Sequence, residues 1–386
     1  MKKKIFVVVL AITCGIVFSL SQNKSYEMKN INDFLKHEVQ EDKTPSIHYA
    51  FFNTDTVIYQ NKYGVSNVKL NTPVDSTTTY NLFSVTKTFT ALAVLQLAQL
   101  GKIQLDKPVA EYLPEFPYSE KITVKQLLNH SAGIPNPLPL RWIHLSSEHK
   151  DFSRTNFFKD VFNENKELDF EPGTKFKYSN LGYVLLGQLI EKVSSLSYED
   201  YITKNIIEPC GVNRKALGFE IDPSVHATGY HKWWSFSNAL FGFLIDKEKF
   251  MSAKEGKWKS FNNFYINGTP YGGMVGSANG LIKYAQALLR NDSFLINNTY
   301  KNILFTESVI NNKPTGMSLS WHTGTVNGYT YYAHAGGGGG YYIELRVYPD
   351  LGIGSVIMFN RSGMKDDRIL DKADSFFLSN QASVTS

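Results

Sequence analysis

The sequence predicts an α+β fold: an antiparallel sheet built from both ends of the chain and flanked by helices, with a mainly α-helical subdomain inserted at about 102–260. Three observations carry this. A hairpin pattern opens the ordered part of the chain, a long apolar-periodic helix follows it, and the last third returns to strand patterns after a middle of helical pieces and loops.

The hairpin comes from SIHYAFFNTDTVIYQNKYGVSN, which alternates at 46–52 and 56–64 around Asn53-Thr54-Asp55. From Ser84 to Leu100, Val85, Phe89, Leu92, Leu95 and Leu100 recur at helical spacing, and Gly101 supplies the stop. In TVKQLLNHSAG, Thr123 and Gln126 form a capping box for a helix running toward Gly133. Leu181, Leu185, Leu186, Leu189 and Val193 share one broad helical face. The segments WHTGTV, YTYYAHA, YYIELRVY and IGSVIMFN read as an antiparallel meander with turns at Asn327-Gly328 and PDLG, covered by a last helix at about 366–379.

The first residues, MKKKIFVVVLAITCGIVFSLSQNK, set three lysines before an apolar run from Ile5 to Leu20 and small residues at Ser19 and Ser21. This is the layout of a signal peptide, 1–21, cleaved after Ser21, so the protein is expected to be exported, periplasmic or secreted. The other reading is an uncleaved anchor, with membrane or cell-wall association through the N-terminus. Lipid attachment at Cys14 would want Leu three residues earlier, where Ala11 stands. A polar lead-in at 22–45, one domain at 46–380 and a tail at 381–386 complete the division.

With 42% hydrophobic and 19% charged residues, a chain of 386 residues can bury a sizeable core. Net charge is +5, and loss of the three leader lysines leaves 5 − 3 = +2, too little to argue for nucleic acid. Once Cys14 leaves with the leader, Cys210 is the single thiol, and no internal disulfide is expected. Between Pro209 and Gly211, Cys210 reads as a small buried filler rather than a nucleophile. The stretch 229–265 is crowded with aromatics and lysines, among them Trp233, Trp234, Phe241, Phe243 and Trp258. Its readings are a subdomain core, a pocket wall, or a contact with membrane or cell-wall polymer.

Ser84 lies three residues before Lys87, at the start of the long helix. The same S-x-x-K spacing recurs at Ser21, Ser66, Ser147 and Ser362, so spacing does not decide its meaning. Only Ser84 opens a long apolar helix. There Lys87 lies on the same face, first-turn amides favour negative charge, and burial lowers the amine pKa. A capping serine with a snorkelling lysine accounts for the same residues equally well.

FSVTKTFTALAVLQL, LLNHSAGIP, EPGTKFKYSNLGYVLLGQLIEKVSSLSYEDYI, EPCGV and HAGGGGGYYIELRVYPDLGIGSVIMFN resemble, in that order, segments of the serine β-lactamase-related family. That family contains class C β-lactamases, penicillin-binding proteins, D-amino peptidases and esterases. The resemblance spans Ser46 to Arg361 and implies a β-lactamase/penicillin-binding-protein-like fold. It implies that Ser84 is the acyl-accepting nucleophile with Lys87 its partner, and that Tyr178 is a second base, later an acid toward the leaving group. Whether Lys87 or Tyr178 is the principal base stays open. Asn180 would hold the substrate or Lys87, and the amides of Ser84 and Gly337 would form an oxyanion hole.

Where the lactamases of that family carry Lys-Thr-Gly, this chain has His334-Ala335-Gly336, similar to the esterase and peptidase branches, with His334 and Gly336 orienting substrate. His322-Thr323-Gly324 is the rival tripeptide, but only His334 leads straight into the glycines and the next strand. A histidine is mostly neutral at pH 7, so a permanent cation for a substrate carboxylate is missing. The expectation is a serine hydrolase acting on an ester or an amide or peptide bond rather than an efficient β-lactamase. A catalytically weak penicillin- or peptide-binding sensor is the alternative.

His130 matches a family position that looks structural. No H-E-x-x-H or other ligand spacing appears, so no metal and no cofactor are expected. No Lys-Ser/Thr follows the glycines 336–340, which leaves a phosphate loop unsupported, and the absence of G-x-S-x-G disfavours an α/β-hydrolase. The expected partner is a small-molecule or peptide substrate. Oligomeric state is not legible.

Overall fold

A seven-stranded antiparallel sheet joins the two ends of the chain. The computed structural model describes residues 30–137, 141–233, 246–363 and 369–378. The leader with Cys14, the start of the lead-in, the aromatics Trp234, Phe241 and Phe243, and the tail lie outside the described residues. In chain order the main elements are α1 (Ile31–Gln40), β1 (Ser46–Asn53), β2 (Val57–Asn67), β3 (Thr72–Pro73), α2 (Thr86–Gln99) and α3 (Asn180–Ser194). There follow α4 (Ala278–Leu289), β4 (His322–Val326), β5 (Tyr329–Gly338), β6 (Tyr341–Tyr348), β7 (Ile353–Phe359) and α5 (Ile369–Leu378). The sheet order is β4-β5-β6-β7-β1-β2-β3, so the meander of the last third meets the opening hairpin at the β7–β1 pair.

Strand alternation divides the core. Ala50, Phe52, Ile343, Leu345, Val356 and Met358 face the larger cluster, which includes residues of α2, α3 and α4. Ile47, Tyr49, Phe51, Tyr348, Ile357 and Phe359 point the other way and are covered by α1 and α5. Helix α1 lies within the stretch read as a polar lead-in. Ile31, Phe34 and Leu35 are buried at i, i+3 and i+4, and the side chain of Asn30 caps the first turn by accepting from the Asp33 amide.

Helix α2 runs through the centre of the molecule, and every residue from Thr86 to Ala98 is buried. The one-sided periodicity seen in the sequence understates this, because α3, the short helix Thr269–Gly272 and the helix Asn298–Phe305 all pack around it. The helix opened by the Thr123–Gln126 capping box ends at Leu128, five residues before Gly133, and the chain turns out through left-handed His130 (φ 58°). The stretch expected to be helices and loops also carries a three-stranded antiparallel sheet of Tyr230–Lys232, Met251–Glu255 and Trp258–Phe261. Its hairpin turns at Gly256, which adopts φ 59°, a conformation that lets the lysine-rich flanks pair. Among the described residues no helix is long and apolar enough to cross a membrane.

Candidate active site

Ser84 sits in the single 3-10 turn Phe83–Val85 that feeds directly into α2. The residue before it, Phe83, is left-handed (φ 47°), which is strained for a bulky side chain. Tertiary contacts hold it there. The Leu82 amide donates to the Met274 carbonyl at 2.9 Å, and the Phe83 ring packs near those of Phe264 and Tyr341. Behind the turn runs β5. A Cβ on Gly336 would stand 2.1 Å from the Leu82 carbonyl oxygen and 3.0 Å from the Ser84 nitrogen, so only glycine lets the strand lie this close.

One helical turn inside, the Lys87 amine is fully buried and has three oxygen neighbours: Ser84 Oγ at 3.1 Å, Asn180 Oδ1 at 2.8 Å and the Tyr271 carbonyl at 2.8 Å. Three acceptors match the three N–H bonds of an ammonium. None is charged, however, and burial pushes the amine well below the ordinary lysine value. The amine is thus poised to exchange a proton with the Ser84 hydroxyl. Asn180 is fixed in turn by Asn136, whose Oδ1 accepts from the Asn180 backbone amide at 3.0 Å and from its Nδ2 at 3.1 Å.

From the segment leading into α3, Tyr178 OH donates to Ser84 Oγ at 2.9 Å. Burial raises its pKa above the ordinary phenol value, outweighing the opposing effect of the hydrogen bond to Ser84, so the group is a phenol at neutral pH. His130 grips both flanks of this residue: the Lys177 amide donates to the His130 carbonyl at 2.9 Å and the Ser179 amide to His130 Nδ1 at 3.1 Å. The His130 ring also packs against the Tyr178 ring, with centroids 4.4 Å apart.

His334 approaches from β5 with Nε2 3.4 Å from Tyr178 OH. Its Nδ1 hydrogen-bonds the Ser320 carbonyl, which can only accept, so Nδ1 carries the proton and Nε2 is left as an acceptor facing the phenol. Burial first, then His322 and Lys87, hold the imidazole well below its ordinary pKa, and the ring is neutral. The rival His322 is exposed on neighbouring β4, paired with Ala333, its ring 5.6 Å from that of His334.

Ser84 opens into a cavity of about 190 Å³ together with Asn180, Gly337 and an apolar wall that includes Trp142 and Phe264. Gly337 thus lines the same space as the serine. Gly336 does not, because alternation along β5 turns it inward against Leu82. Phe261 and Phe264, from the aromatic stretch, are part of the wall, as one reading of that stretch expected. Cys210 lies elsewhere, half-buried against the core, its thiol pushed up to about 12 by burial. Among the described residues no three His, Cys, Asp or Glu side chains gather as a metal site.

Sequence reading missed Asn136 and Tyr271, and it gave His130 no defined task. The Tyr271 contribution to Lys87 is a backbone carbonyl, which leaves no trace in residue type. Asn136 follows the LLNHSAGIP segment directly, but nothing in its spacing marks it as a partner of Asn180.

A family model described as Beta-lactamase matches residues 31–377. The chain is 30% identical over 257 residues to protein flp of Staphylococcus aureus (strain NCTC 8325 / PS 47), an alignment covering 60% of this chain and 50% of that protein. It therefore spans about half the length of the curated relatives it matches. The solved structure of an octameric penicillin-binding protein homologue from Pyrococcus abyssi is similar at TM-score 0.70 and 25% identity, over 90% of this chain and 77% of that one. A D-amino acid amidase from Ochrobactrum anthropi SV3 shares the fold at TM-score 0.73 and 18% identity, over 92% and 99% of the two chains.

Proposed function

This chain belongs to the Beta-lactamase family, and from that premise we propose that it is a serine hydrolase working through an acyl-enzyme on Ser84, on an ester or an amide or peptide bond rather than as an efficient β-lactamase. The observation that carries the reading is one oxygen between two proton-handling groups: Ser84 Oγ lies 3.1 Å from Lys87 Nζ and 2.9 Å from Tyr178 OH, at the cavity.

The opposite pKa directions support a division of roles. Lys87, depressed by burial, is the group that can be neutral at pH 7, so it takes the Ser84 proton as the oxygen attacks the carbonyl carbon. Tyr178, raised by burial, keeps its proton and delivers it to the leaving oxygen or nitrogen as that bond breaks. The new ammonium, 4.8 Å from the centre of the Tyr178 ring, offsets the charge left on the phenol oxygen and re-protonates it. Amides of Ser84 and Gly337 hold the oxyanion of each tetrahedral intermediate. Water then attacks the acyl carbon by the reverse path: with the proton back on Lys87, the Tyr178 oxygen takes one from the water while Lys87 returns one to Ser84, which restores the starting state.

A neutral His334 beside Tyr178 supports the preference against β-lactams, because a carboxylate finds no permanent cation there. The leader-like sequence of residues 1–21 supports export. The decisive experiment labels wild type and Ser84→Ala with a fluorescent fluorophosphonate and a fluorescent penicillin, and follows a short p-nitrophenyl ester beside a chromogenic cephalosporin. Ser84-dependent labelling with faster ester turnover is expected. A lasting penicillin adduct without ester or amide turnover would replace the hydrolase with a sensor.

A further inference from the structure

The apolar cavity lies to one side of the proposed nucleophile. Its wall is made by Phe83, Trp142, Ile143, Phe261, Phe264 and Ile266, and no Lys, Arg, Asp or Glu is among the described residues lining it. Neither Tyr178 nor His334 lines it. Under the hydrolase reading, on which this inference rests, the leaving group must meet the Tyr178 proton. The leaving group therefore sits on the Tyr178 side, and the cavity receives what remains on Ser84.

We propose that this cavity is the acyl site and that it selects a neutral, apolar acyl group about the size of one ring, such as phenylacetyl or a short branched chain. Size argues for this: about 190 Å³ here compares with cavities of about 150 Å³ that bind benzene. Chemistry argues the same way, since a carboxylate on the acyl group would lose its hydration among aromatic and aliphatic walls that offer no counter-charge. The walls are set by packing. A Cβ on Gly339 would stand 2.2 Å from Phe264 Cζ, so the Phe264 ring lies directly on the glycine turn that follows β5. Ile143 and Ile266 are paired across two short strands, with Ile143 only partly buried, which makes it a position where size can be changed.

The test compares kcat/KM for p-nitrophenyl phenylacetate, acetate, butyrate, dodecanoate and the mono-succinate, with matching anilides if the esters are poor. Phenylacetate is expected to exceed acetate by about tenfold or more, in keeping with the value of filling an apolar pocket. Dodecanoate should fall below butyrate, and the succinate at least about tenfold below butyrate, its neutral counterpart. Ile143→Trp should lower the phenylacetate-to-acetate ratio by about tenfold. Ester or amide turnover that depends on Ser84 but ranks succinate with butyrate, or keeps the phenylacetate preference in Ile143→Trp, would overturn the acyl-site proposal and leave the hydrolase reading standing. Absence of Ser84-dependent turnover on every ester and anilide would remove both.

Discussion

Adjacent glycines on β5 should respond to the same substitution in opposite ways. In Gly336→Ala the new methyl would start 2.1 Å from the Leu82 oxygen, whereas ordinary contact begins near 3.4 Å, so strand and nucleophile turn must separate by about 1.3 Å. That movement falls between Ser84 and the Gly337 amide. A misplacement of about 1 Å is sufficient to cost about 100-fold in rate, so kcat/KM on an ester should drop by about that factor. The strain of an extra methyl in a packed site, about 1–3 kcal/mol, should also lower Tm by a few degrees. In Gly337→Ala the nearest atom to the new methyl is Tyr342 Cδ2 at 3.6 Å, an ordinary contact. Its Tm should hold or rise slightly, since alanine restricts the unfolded chain more than glycine does. The assay is steady-state ester hydrolysis beside thermal unfolding of both variants. Gly336→Ala with activity within about threefold of wild type and an unchanged Tm would refute the claim that the strand must touch the nucleophile turn.

For the proton transfers, kcat/KM on a neutral ester should rise with pH along an acid limb set by Lys87, then fall only above the ordinary tyrosine pKa of about 10. Lys87→Met and Tyr178→Phe should each lose about 10²–10⁴-fold, and an alkaline limb well below pH 9 that vanishes in Tyr178→Phe would contradict the assignment. Because His130 positions Tyr178 without lining the cavity, His130→Ala should lower kcat by about tenfold or more while KM moves little. A change confined to KM would show that His130 acts elsewhere. Stability should fall in acid because burial lowers His48, His226 and His231 from 6.5 to about 4. Between those values the unfolded chain binds protons that the folded chain refuses, so stability is full above pH 6.5 and is lost as pH falls toward 4, by up to roughly 3 kcal/mol for each fully buried ring. A Tm that stays level from pH 7 to pH 4.5 would rule this out.

Period and punctuation alone determined the opening hairpin, the four-stranded meander and the position of the central helix. Strand alternation and helix spacing are local consequences of burying one face, so they survive in one dimension. The same letters hid the small sheet at 230–261, where lysines and aromatics alternate too weakly to announce pairing, and α1, whose buried positions lie in an otherwise polar stretch. At the site, Ser84, Lys87, Tyr178, Asn180 and His334 could be singled out because each sits in a recognisable segment. Only the folded chain decided that Lys87 has three uncharged oxygen neighbours, that His334 presents Nε2 to the phenol, and that Gly336 serves the turn while Gly337 lines the cavity. Those outcomes depend on backbone carbonyls and on contacts between residues about 90 to 250 positions apart, and neither carbonyl placement nor long-range distance is written in side-chain identity.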